Sequence, residues 1–461
     1  MSLYIADTIA AISTPHGEGG IGIVRVSGAR AREVGLRIFR FGGSTTDFSS
    51  HYLHYGLVVD PISETRIDEA MAVVMQAPRS YTREDVLEIQ CHGGRLVVEQ
   101  VLAAALSCGA RLADAGEFTR RAFLNGRIDL LEAEAVMDII SSRSESSLAL
   151  ARRQQEGALS RRVANVRSML LHSLAMIEAY IDFPEDDLGE ADAAGIRTSV
   201  LSACNEVSSL LSGYDEGRIL RDGVAVLIVG KPNAGKSSLL NSLLGEQRAI
   251  VTHIAGTTRD IIEETASFSG LAVRLLDTAG IRQTDDLVER EGIGRALDCI
   301  PLADLVLFVL DTTRPFDDED RHILAALAAK RVVLVCSKND LPQRFDMPEQ
   351  LRSVPCCHIS TLTGAGIEEL KRAILGMFIK HGTLDSQQFA VISRARHRDA
   401  LVTARDILQC VMPKLNSGLN CELETCAIDV RDALVAIGQV SGHTTTDEIL
   451  DHIFSSFCIG K

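Results

Sequence analysis

The sequence lacks long apolar runs. No window reaches the roughly 18 unbroken apolar residues of a membrane-spanning helix. The start of the chain, from Met1 to Ile12, contains Asp7 and has no basic leader before an apolar stretch. These absences predict a protein that is neither embedded in a membrane nor exported, and therefore a cytoplasmic one.

The eleven cysteines show no C-x-x-C spacing, which favours reduced thiols in a cytosol over a disulfide framework or a zinc site. Cys91-His92 and Cys356-Cys357 are interpreted as core or loop residues. Positive charge is scarce as well, because the formal net charge is -15. That charge argues against broad electrostatic wrapping of nucleic acid and leaves room only for a local basic patch.

No internal repeat of about 20 to 50 residues and no low-complexity stretch is found. A chain of 461 residues is too long for one ordinary core and predicts about two to four domains.

What the sequence does contain is a complete G-x-x-x-x-G-K-[ST] motif at Gly230–Ser237. The run Val224–Val229 before it predicts a buried parallel strand, and Ser238–Leu244 after it opens a helix. In this context backbone N–H groups surround the phosphates, Lys236 reaches the β and γ phosphates, and the Ser237 hydroxyl is placed for Mg²⁺. The motif predicts binding of a nucleoside triphosphate.

Two further motifs predict a nucleotide-dependent switch. The apolar run Val273–Leu276 ends in D-x-x-G, in which Asp277 is suited to hold the metal and Gly280 to sense the γ-phosphate. Between this motif and the phosphate loop lies the polar stretch Thr252–Asp260. Its Thr258 is predicted to complete the magnesium shell when the γ-phosphate is present.

A third set of residues points to guanine. After the apolar runs Leu305–Leu310 and Val332–Cys336 comes Ser337-Lys338-Asn339-Asp340, where guanine-binding proteins normally show N-K-x-D. Asp340 can accept hydrogen bonds from the guanine N–H donors, while Ser replaces the usual Asn. Ser360-Thr361-Leu362 occupies the place of a final loop that contacts the base. Order and spacing together predict a GTPase.

Two details bear on hydrolysis. Ile281 follows the D-x-x-G motif, where Ras-like enzymes place the Gln that orients the attacking water. Another group must therefore orient the water in this chain. The Val288–Glu291 segment offers carboxylates for that role. The alternative for these carboxylates is a solvated helix face. Asn233 resembles, by its position, the Asn of GTPases that hold a potassium ion beside the phosphates, where the ion supplies charge as an arginine finger does. The alternative for Asn233 is a side chain that only stabilises the loop.

The flanking segments carry a resemblance to one family. They are Thr8–Pro15 continuing through Gly17–Gly28, the block Tyr81–Glu88, and the last residues Phe454–Lys461 with their C-I-G-K ending. With the central motifs they resemble the MnmE family, also called TrmE, of tRNA-modifying GTPases, and the resemblance spans the whole chain.

The resemblance implies a homodimer that joins the FAD-dependent partner MnmG to install an aminomethyl-type group on C5 of the wobble uridine of certain tRNAs. The one-carbon unit comes from a 5-formyl or 5,10-methylene tetrahydrofolate. The folate positions that match are Arg25, Glu88, Arg127 and Lys461. A carboxylate suits the donor edge of a pterin, and cations suit the glutamyl carboxylates. The family more often has Lys where this chain has Arg127, and the two differ in geometry. Considered without this resemblance, Arg25 and Glu88 are interpreted equally well as an ion pair on the protein surface.

The same resemblance assigns the GTPase centre, in which potassium brings two GTPase domains together across their switches. It implies potassium positions at Asn233, Thr252, Ile254 and Thr257, magnesium ligands at Ser237 and Thr258, and a water-positioning carboxylate at Glu289. The motifs and the resemblance together predict GTP contacts at Asn233, Ala234, Gly235, Lys236, Ser237, Ser238, Thr252, His253, Ile254, Ala255, Gly256, Thr257, Thr258, Asp277, Thr278, Ala279, Gly280, Ser337, Lys338, Asp340, Ser360, Thr361 and Leu362.

The candidate catalytic residues are Glu289, Lys236 and Cys458. Cys458 superficially fits a prenylation box, but Gly460 and Lys461 do not fit that pattern. Its place beside the predicted folate-contacting terminus leaves two interpretations open, a part in the modification chemistry or packing of the tail.

The predicted fold is α/β plus α. It has an N-terminal folate-binding and dimerisation domain at residues 1–119, a helical domain at 120–217 and 380–461, and an inserted Ras-like GTPase domain with a mainly parallel sheet at 218–379. Apolar spacings of three and four, as in Val166, Leu170, Leu174 and Ile177, indicate the helices.

Other functions remain open at this point. A GTP-switched ribosome or RNA assembly factor would share the phosphate loop and the Gly256–Asp260 segment but leave both ends of the chain unexplained. A GTP-regulated folate store or scaffold would need no tRNA chemistry. Arginines on the predicted helices form a candidate tRNA patch, with solvated helix faces as the alternative: Arg143, Arg152, Arg153, Arg161, Arg162, Arg167, Arg394, Arg396 and Arg398.

Overall fold

The computed structural model describes residues 7–15, 17–183, 190–245, 262–277, 299–327, 330–378, 391–416 and 423–461. The chain divides into two compact units. The first contains residues 1–137 and 431–461, and the second contains residues 138–430. The predicted boundaries at residues 119, 217 and 379 remain a prediction.

The first unit is built on a seven-stranded sheet. Its strands are β1 (Ile9–Ile12), β2 (Gly19–Ser27), β3 (Phe39–Phe41), β4 (His54–Val59), β5 (Arg66–Met75), β6 (Val86–Gly93) and β7 (Arg111–Leu112). They lie in the order β3-β4-β5-β6-β2-β1-β7. All neighbouring strands are antiparallel except β1 and β7.

Two helices cover one face of this sheet, α1 (Ala31–Ile38) and α2 (Arg95–Ser107). Side chains alternate between the faces of a strand, so Val24 and Val26 enter this core fully buried, whereas Arg25 points to the opposite face. The register of β2 and β6 places Arg25 directly across from Glu88. The predicted folate residues Arg25 and Glu88 are therefore cross-strand neighbours on the face away from the helices.

Further helical elements of the first unit are α3 (Glu117–Leu124), the first part of α4 (Leu130–Ser141), the last part of α13 (Leu423–Ser441) and α14 (Asp447–Ser455). An apolar cluster of Leu130, Ala133, Leu450, Phe454 and Phe457, with Phe123 of α3 packed against it, joins α3, α4 and α14. The cluster brings the end of the chain to the N-terminal sheet, where Ile459 forms a β-bridge with Ala115.

The second unit contains a six-stranded sheet. Its strands are β8 (Val224–Val229), β9 (Ile262–Phe268), β10 (Leu271–Asp277), β11 (Leu305–Asp311), β12 (Val332–Ser337) and β13 (Cys356–His358). They lie in the order β13-β12-β11-β8-β10-β9, and only β9 runs antiparallel to its neighbour. The central strands are almost continuously apolar and buried, as expected for a parallel sheet covered on both faces. This confirms the predicted mainly parallel sheet.

In the described part of the chain, three helices belong to this sheet: α9 (Lys236–Leu244), α10 (Asp318–Ala326) and α11 (Ile367–Gly376). Leu239, Leu243, Leu370 and Ile374 pack one face of the sheet, while Ile323 packs the other. Helices thus cover both faces of the sheet, as is usual for a mainly parallel sheet.

The described part of the second unit also contains five helices outside this sheet. Its helices are α5 (Glu145–Gln155), α6 (Ala158–Asp182), α7 (Glu190–Ser212), α8 (Tyr214–Asp222) and α12 (Ala395–Asn416), and α7 packs against both α6 and α12. Val166, Leu170 and Ile177 form the buried face of α6, which confirms the helical periodicity. This helix ends at Asp182 because Phe183 precedes Pro184, and a residue before proline disfavours the helical region. Among the helices described, none has the length and apolar character needed to cross a membrane.

Candidate functional site

The phosphate loop joins β8 to α9 as the motif requires. Its first glycine, Gly230, has φ of 154°, and a Cβ there would lie 2.4 Å from the carbonyl oxygen of Val309. Gly235 has φ of 99° and precedes Lys236, the first residue of α9. The helix therefore begins two residues before its predicted start, and its N-terminal end, the positive end of the helix dipole, lies at the loop, an arrangement that favours an anion.

Lys236 and Asn233 occupy defined positions in this loop. The Lys236 ammonium donates to the carbonyl oxygens of Gly230 at 2.9 Å and Lys231 at 2.7 Å, so it lies across the loop. A bound phosphate would compete with these carbonyls for Nζ. Asn233 has φ of 59°, a left-handed conformation that Asn tolerates better than most residues.

The predicted guanine loops are joined to the phosphate loop. The Ser337 hydroxyl lies 2.7 Å from the carbonyl oxygen of Ala234 and 3.1 Å from that of Leu310. The backbone N–H of Asn339 donates to the carbonyl oxygen of Ile359 at 3.0 Å, which links the S-K-N-D segment to the segment before Ser360. The structure therefore brings Ala234, Ser337 and Ser360 into one hydrogen-bonded region.

Lys338 forms an ion pair that the sequence analysis missed. Its ammonium lies 2.6 Å from Oδ2 of Asp311, at the end of β11. Burial alone would raise the pKa of Asp311, but hydrogen bonds from Lys338 and Thr313 outweigh it and lower that pKa. The neighbouring Asp340 and Leu362 are exposed, so the Asp340 carboxylate is accessible to a ligand. The only sequence signal for Asp311 is its place at the carboxyl end of a parallel strand.

Several predicted residues lie outside the described part of the chain. They are Thr252, His253, Ile254, Ala255, Gly256, Thr257, Thr258, Thr278, Ala279, Gly280 and Glu289. Asp277 is the last residue of β10, which pairs in parallel with β8. Asp277 and the phosphate loop therefore lie at the same edge of the sheet.

The first unit gathers a second group of predicted residues around Arg25. Its guanidinium donates to Glu88 at 2.8 Å and to the carbonyl oxygen of Gly460 at 3.3 Å. Ser13 donates to the same Gly460 oxygen at 3.2 Å. Only 16% of the Arg25 side chain and 18% of the Glu88 side chain are exposed, so this pair is more enclosed than a typical surface ion pair.

Tyr81 connects Arg25 to Arg127. Its ring centroid lies 5.7 Å from the Arg25 guanidinium and 5.1 Å from that of Arg127. Burial raises the pKa of Tyr81, and its hydroxyl forms a 2.9 Å hydrogen bond with Thr119. In the sequence Tyr81 belongs only to the Tyr81–Glu88 block, and its contact with both guanidinium groups becomes visible only in the fold.

An open pocket of about 510 Å³ adjoins Tyr81 and Arg127. Its other polar lining includes Arg79, Arg83 and Ser80, and Ser80 accepts a hydrogen bond from Arg127 through its carbonyl oxygen. Pockets of about 300–1,000 Å³ are typical of small-molecule sites. The three arginines of its lining favour an anionic ligand.

The C-terminal tail is fixed beside Arg25. Gly116 N–H donates to the carbonyl oxygen of Cys458 at 3.4 Å, and Lys461 N–H donates to the same oxygen at 3.3 Å. Gly460 has φ of 94°, and a Cβ on it would lie 2.3 Å from the carbonyl oxygen of Ile12. Cys458 itself is exposed. The structure thus places Arg25, Glu88 and the C-I-G-K end together, with Arg127 reached through Tyr81.

A buried charge cluster supports the same unit. Arg121 is 3% exposed and lies 2.6 Å from Asp7, 2.9 Å from Glu117 and 3.2 Å from Glu84. Burial would raise the pKa values of Asp7 and Glu117, but hydrogen bonds from Arg111 and Arg121 outweigh it and lower both. The cluster holds Asp7, which lies just before β1, against α3.

Known families match both parts of the chain. Residues 8–127 match the family described as the GTP-binding protein TrmE N-terminus, and residues 130–458 match the MnmE helical domain. Among solved structures, the G domain of the FeoB iron transporter of T. maritima is 29% identical, covers 33% of this chain and 96% of its own, and gives a TM-score of 0.26.

Full-length relatives carry the name tRNA modification GTPase MnmE. The protein from Geobacter metallireducens is 56% identical over 459 residues, and that from Geobacter sulfurreducens is 55% identical over 459 residues; each match covers 100% of both chains. The relative from Lactiplantibacillus plantarum is 43% identical over 459 residues, covering 99% of this chain and 98% of its own. The chain therefore belongs to the MnmE family of tRNA modification GTPases.

Proposed function

We propose that this chain is a potassium-activated GTP hydrolase that acts with the flavoprotein MnmG. Together they add an aminomethyl or carboxymethylaminomethyl group to C5 of the wobble uridine, U34, of certain tRNAs. The observation that carries the proposal is the 56% identity, over the full length of both chains, to a tRNA modification GTPase. A tRNA substrate also favours a cytoplasmic location.

GTP hydrolysis is assigned to the phosphate loop and its neighbours. Lys236 leaves the Gly230 and Lys231 carbonyls to pair with the β and γ phosphates, and Asp340 accepts from guanine. Ser237 and Thr258 are proposed to hold Mg²⁺, and Asn233 is proposed to hold K⁺ with Thr252, Ile254 and Thr257. When bound, these cations supply positive charge against the charge that develops on the phosphates. Glu289 orients the attacking water.

Asn233 is the one proposed potassium ligand that lies in the described part of the chain. Asn233 has a left-handed backbone conformation within the phosphate loop. The oxygen of its side-chain amide is a hard ligand, the type that alkali cations accept. The other proposed ligands lie outside the described residues. The potassium proposal therefore rests on Asn233 and on the family to which the chain belongs.

The first unit is proposed to bind the tetrahydrofolate. The arginine-lined pocket beside Tyr81 suits the glutamyl carboxylates, with Arg127 at its edge. Glu88 would receive the pterin donor edge, while Arg25 holds the Glu88 carboxylate in place at 2.8 Å. Lys461 adds a further cation at the docked tail. The folate supplies the one-carbon unit, and the protein residues bind and orient it.

Homodimerisation and assembly with MnmG complete the proposal. The exposed Cys458 lies two residues before Gly460, whose carbonyl oxygen accepts from Arg25, and its role is either to take part in the modification or to pack the tail.

The decisive experiment removes the gene from its host and measures wobble nucleosides by mass spectrometry. The C5 modification is expected to disappear and to return with the unaltered gene, but not with Lys236→Ala. Failure of the Lys236→Ala gene to restore the modification would tie the chemistry to GTP. A fully modified tRNA pool after deletion would instead favour the assembly-factor function.

A second experiment separates tRNA modification from a folate store or scaffold. Glu88→Ala is expected to weaken binding of a reduced folate and to abolish the C5 modification. If folate binding fell while tRNA stayed modified, the storage function would be favoured. For hydrolysis, Glu289→Ala should slow GTP turnover while sparing nucleotide affinity, and unchanged turnover would remove Glu289 from its proposed role.

A further inference from the structure

Three potential metal ligands meet at the edge of the six-stranded sheet. They are Cys336 at the end of β12, and Cys356 and His358 on the edge strand β13. Their sulfur and nitrogen ligand atoms all lie within 4.8 Å of one another. Within the described ranges of the chain, this is the only such group of three or more His, Cys, Asp or Glu residues.

Strand register explains why these residues meet. Cys336 pairs with His358, and Leu334 pairs with Cys356, in the parallel β12–β13 ladder. Residues two apart on a strand share a face, so all three side chains lie on one face of the sheet. The sequence separation of 20 residues between the cysteines resembles no metal motif, and only the ladder brings them together.

Two of the three distances between ligand atoms lie close to those of a tetrahedral site. Cys336 Sγ lies 3.5 Å from Cys356 Sγ, and Cys356 Sγ lies 4.0 Å from His358 Nε2. Around Zn²⁺, bond lengths of about 2.3 Å to sulfur and about 2.0 Å to nitrogen place two thiolates about 3.8 Å apart and a thiolate and imidazole about 3.6 Å apart. The third pair of ligand atoms, Cys336 Sγ and the His358 ring nitrogen, lies within 4.8 Å, so the exposed His358 side chain has to rotate toward Cys336 to bind the ion.

We propose that Cys336, Cys356 and His358 form a binding site for a thiophilic metal ion, with Zn²⁺ as the ion that best fits two thiolates and an imidazole. Cys336 is buried, Cys356 is half-buried and His358 is exposed, so the ion would have access from the His358 side. Three protein ligands leave a fourth position for water. Thiolate and imidazole ligands select against Mg²⁺ and K⁺, so the site is chemically distinct from the nucleotide site.

The proposed metal site lies next to the two loops that are predicted to contact guanine. Cys336 directly precedes Ser337, and His358 precedes Ile359 and Ser360. The backbone N–H of Ile359 already donates to the carbonyl oxygen of Cys336 at 2.8 Å. A bound ion would add a second link between the strand ends that carry these two loops.

The test is a Zn²⁺ titration of the untagged, full-length, nucleotide-free protein under reducing conditions, with a chromophoric chelator as competitor. The unaltered protein is expected to bind one more equivalent of Zn²⁺ than Cys356→Ser or His358→Ala. This difference should persist in excess Mg²⁺ and K⁺. His358→Ala changes an exposed side chain, so it tests the site even if a variant at buried Cys336 fails to fold.

Matched controls are Cys410→Ser and His172→Ala, which alter an exposed cysteine and an exposed histidine on helices away from the cluster. Both should keep the extra equivalent. Co²⁺ provides an independent readout, because two thiolate ligands give a sulfur-to-cobalt charge-transfer band that Cys356→Ser should weaken. Equal Zn²⁺ stoichiometry in the unaltered protein and in His358→Ala and Cys356→Ser would overturn the proposal. The measurement needs neither GTP nor tRNA, so its outcome is independent of the proposed function.

Discussion

The hydroxyl of Ser337 lies 2.7 Å from the main-chain carbonyl oxygen of Ala234 and connects the predicted guanine segment to the phosphate loop. Ser337 is 3% exposed, so water cannot readily replace this partner. The residue that departs from the usual N-K-x-D motif thus retains a structural role. It holds the S-K-N-D segment against the loop that is predicted to bind the phosphates.

We expect Ser337→Ala to weaken GDP binding by about fivefold, because a net hydrogen bond contributes about 1 kcal/mol. The substitution also leaves a buried carbonyl oxygen without this donor. Affinity would be measured by titration with a fluorescent GDP analogue. Ser242→Ala removes a hydroxyl that donates only within α9, to the carbonyl oxygen of Ser238, and should bind GDP as tightly as the unaltered protein. Equal affinities for both variants would contradict the role given to Ser337.

Potassium dependence should reside in the Asn233 side chain. GTP turnover is expected to be at least about tenfold faster in K⁺ than in Na⁺ at equal ionic strength, because the ion supplies transition-state charge. Asn233→Gly keeps the φ of 59° accessible while removing the amide, and should bring the two rates close together. A steady-state phosphate-release assay measures both rates. Equal turnover of the unaltered protein in the two salts would remove the potassium proposal.

Tail docking should depend on Gly460. A Cβ at this position would lie 2.3 Å from the carbonyl oxygen of Ile12, so Gly460→Ala must displace the tail from Arg25. We expect the affinity for a reduced folate to fall by about tenfold or more, equivalent to about 1.4 kcal/mol, measured by calorimetric titration.

The matched control for this change is Gly17→Ala. Gly17 also has a positive φ, of 134°, but a Cβ there would have no neighbouring atom within 4 Å. Both variants place an alanine at a positive φ, which strains the backbone. Only Gly460→Ala adds the clash with the Ile12 carbonyl oxygen. Similar folate affinities in the two variants would show that tail position does not govern binding.

The strand, loop and helix that carry the candidate nucleotide site could be predicted from the sequence because they depend on the local backbone. The strand, glycine-rich loop and helix around Gly230–Ser237 are contiguous, and their apolar patterns have a clear period. The ion pair of Lys338 with Asp311, by contrast, joins the ends of two strands. Nothing in the local pattern around either residue indicates it.

The contacts around Arg25 could not be predicted from local sequence patterns, because they depend on how distant strands pair. Arg25 and Glu88 are 63 residues apart and become neighbours only through antiparallel pairing of β2 and β6. Tyr81 enters the group because the guanidinium groups of Arg25 and Arg127 both contact its ring. A shift of one residue in a strand would turn every side chain to the other face, so such contacts require the folded sheet.

The charge cluster around Arg121 should make stability depend on pH. The pKa values of Asp7 and Glu117 are lowered in the fold from ordinary values of 3.8 and 4.5, because hydrogen bonds from Arg111 and Arg121 outweigh the opposing effect of burial. The folded protein therefore binds fewer protons than the unfolded chain as pH falls below about 5. Their stabilising contribution is present above the ordinary pKa values and is lost as pH falls through the lower folded values.

Glu117→Gln should lower the unfolding free energy of the first unit at pH 7 by about 1.5–3 kcal/mol, the usual contribution of hydrogen bonds to a charged group. The difference from the unaltered protein should shrink toward about pH 3, because protonation removes the same charge from Glu117. Urea unfolding at neutral, mildly acidic and acidic pH, followed by Tyr fluorescence and far-ultraviolet circular dichroism, measures this trend. Glu99→Gln, on an exposed helix position, provides the control and should change the midpoint little at any pH. A Glu117→Gln deficit that stayed constant across this pH range would contradict an origin in the charge cluster.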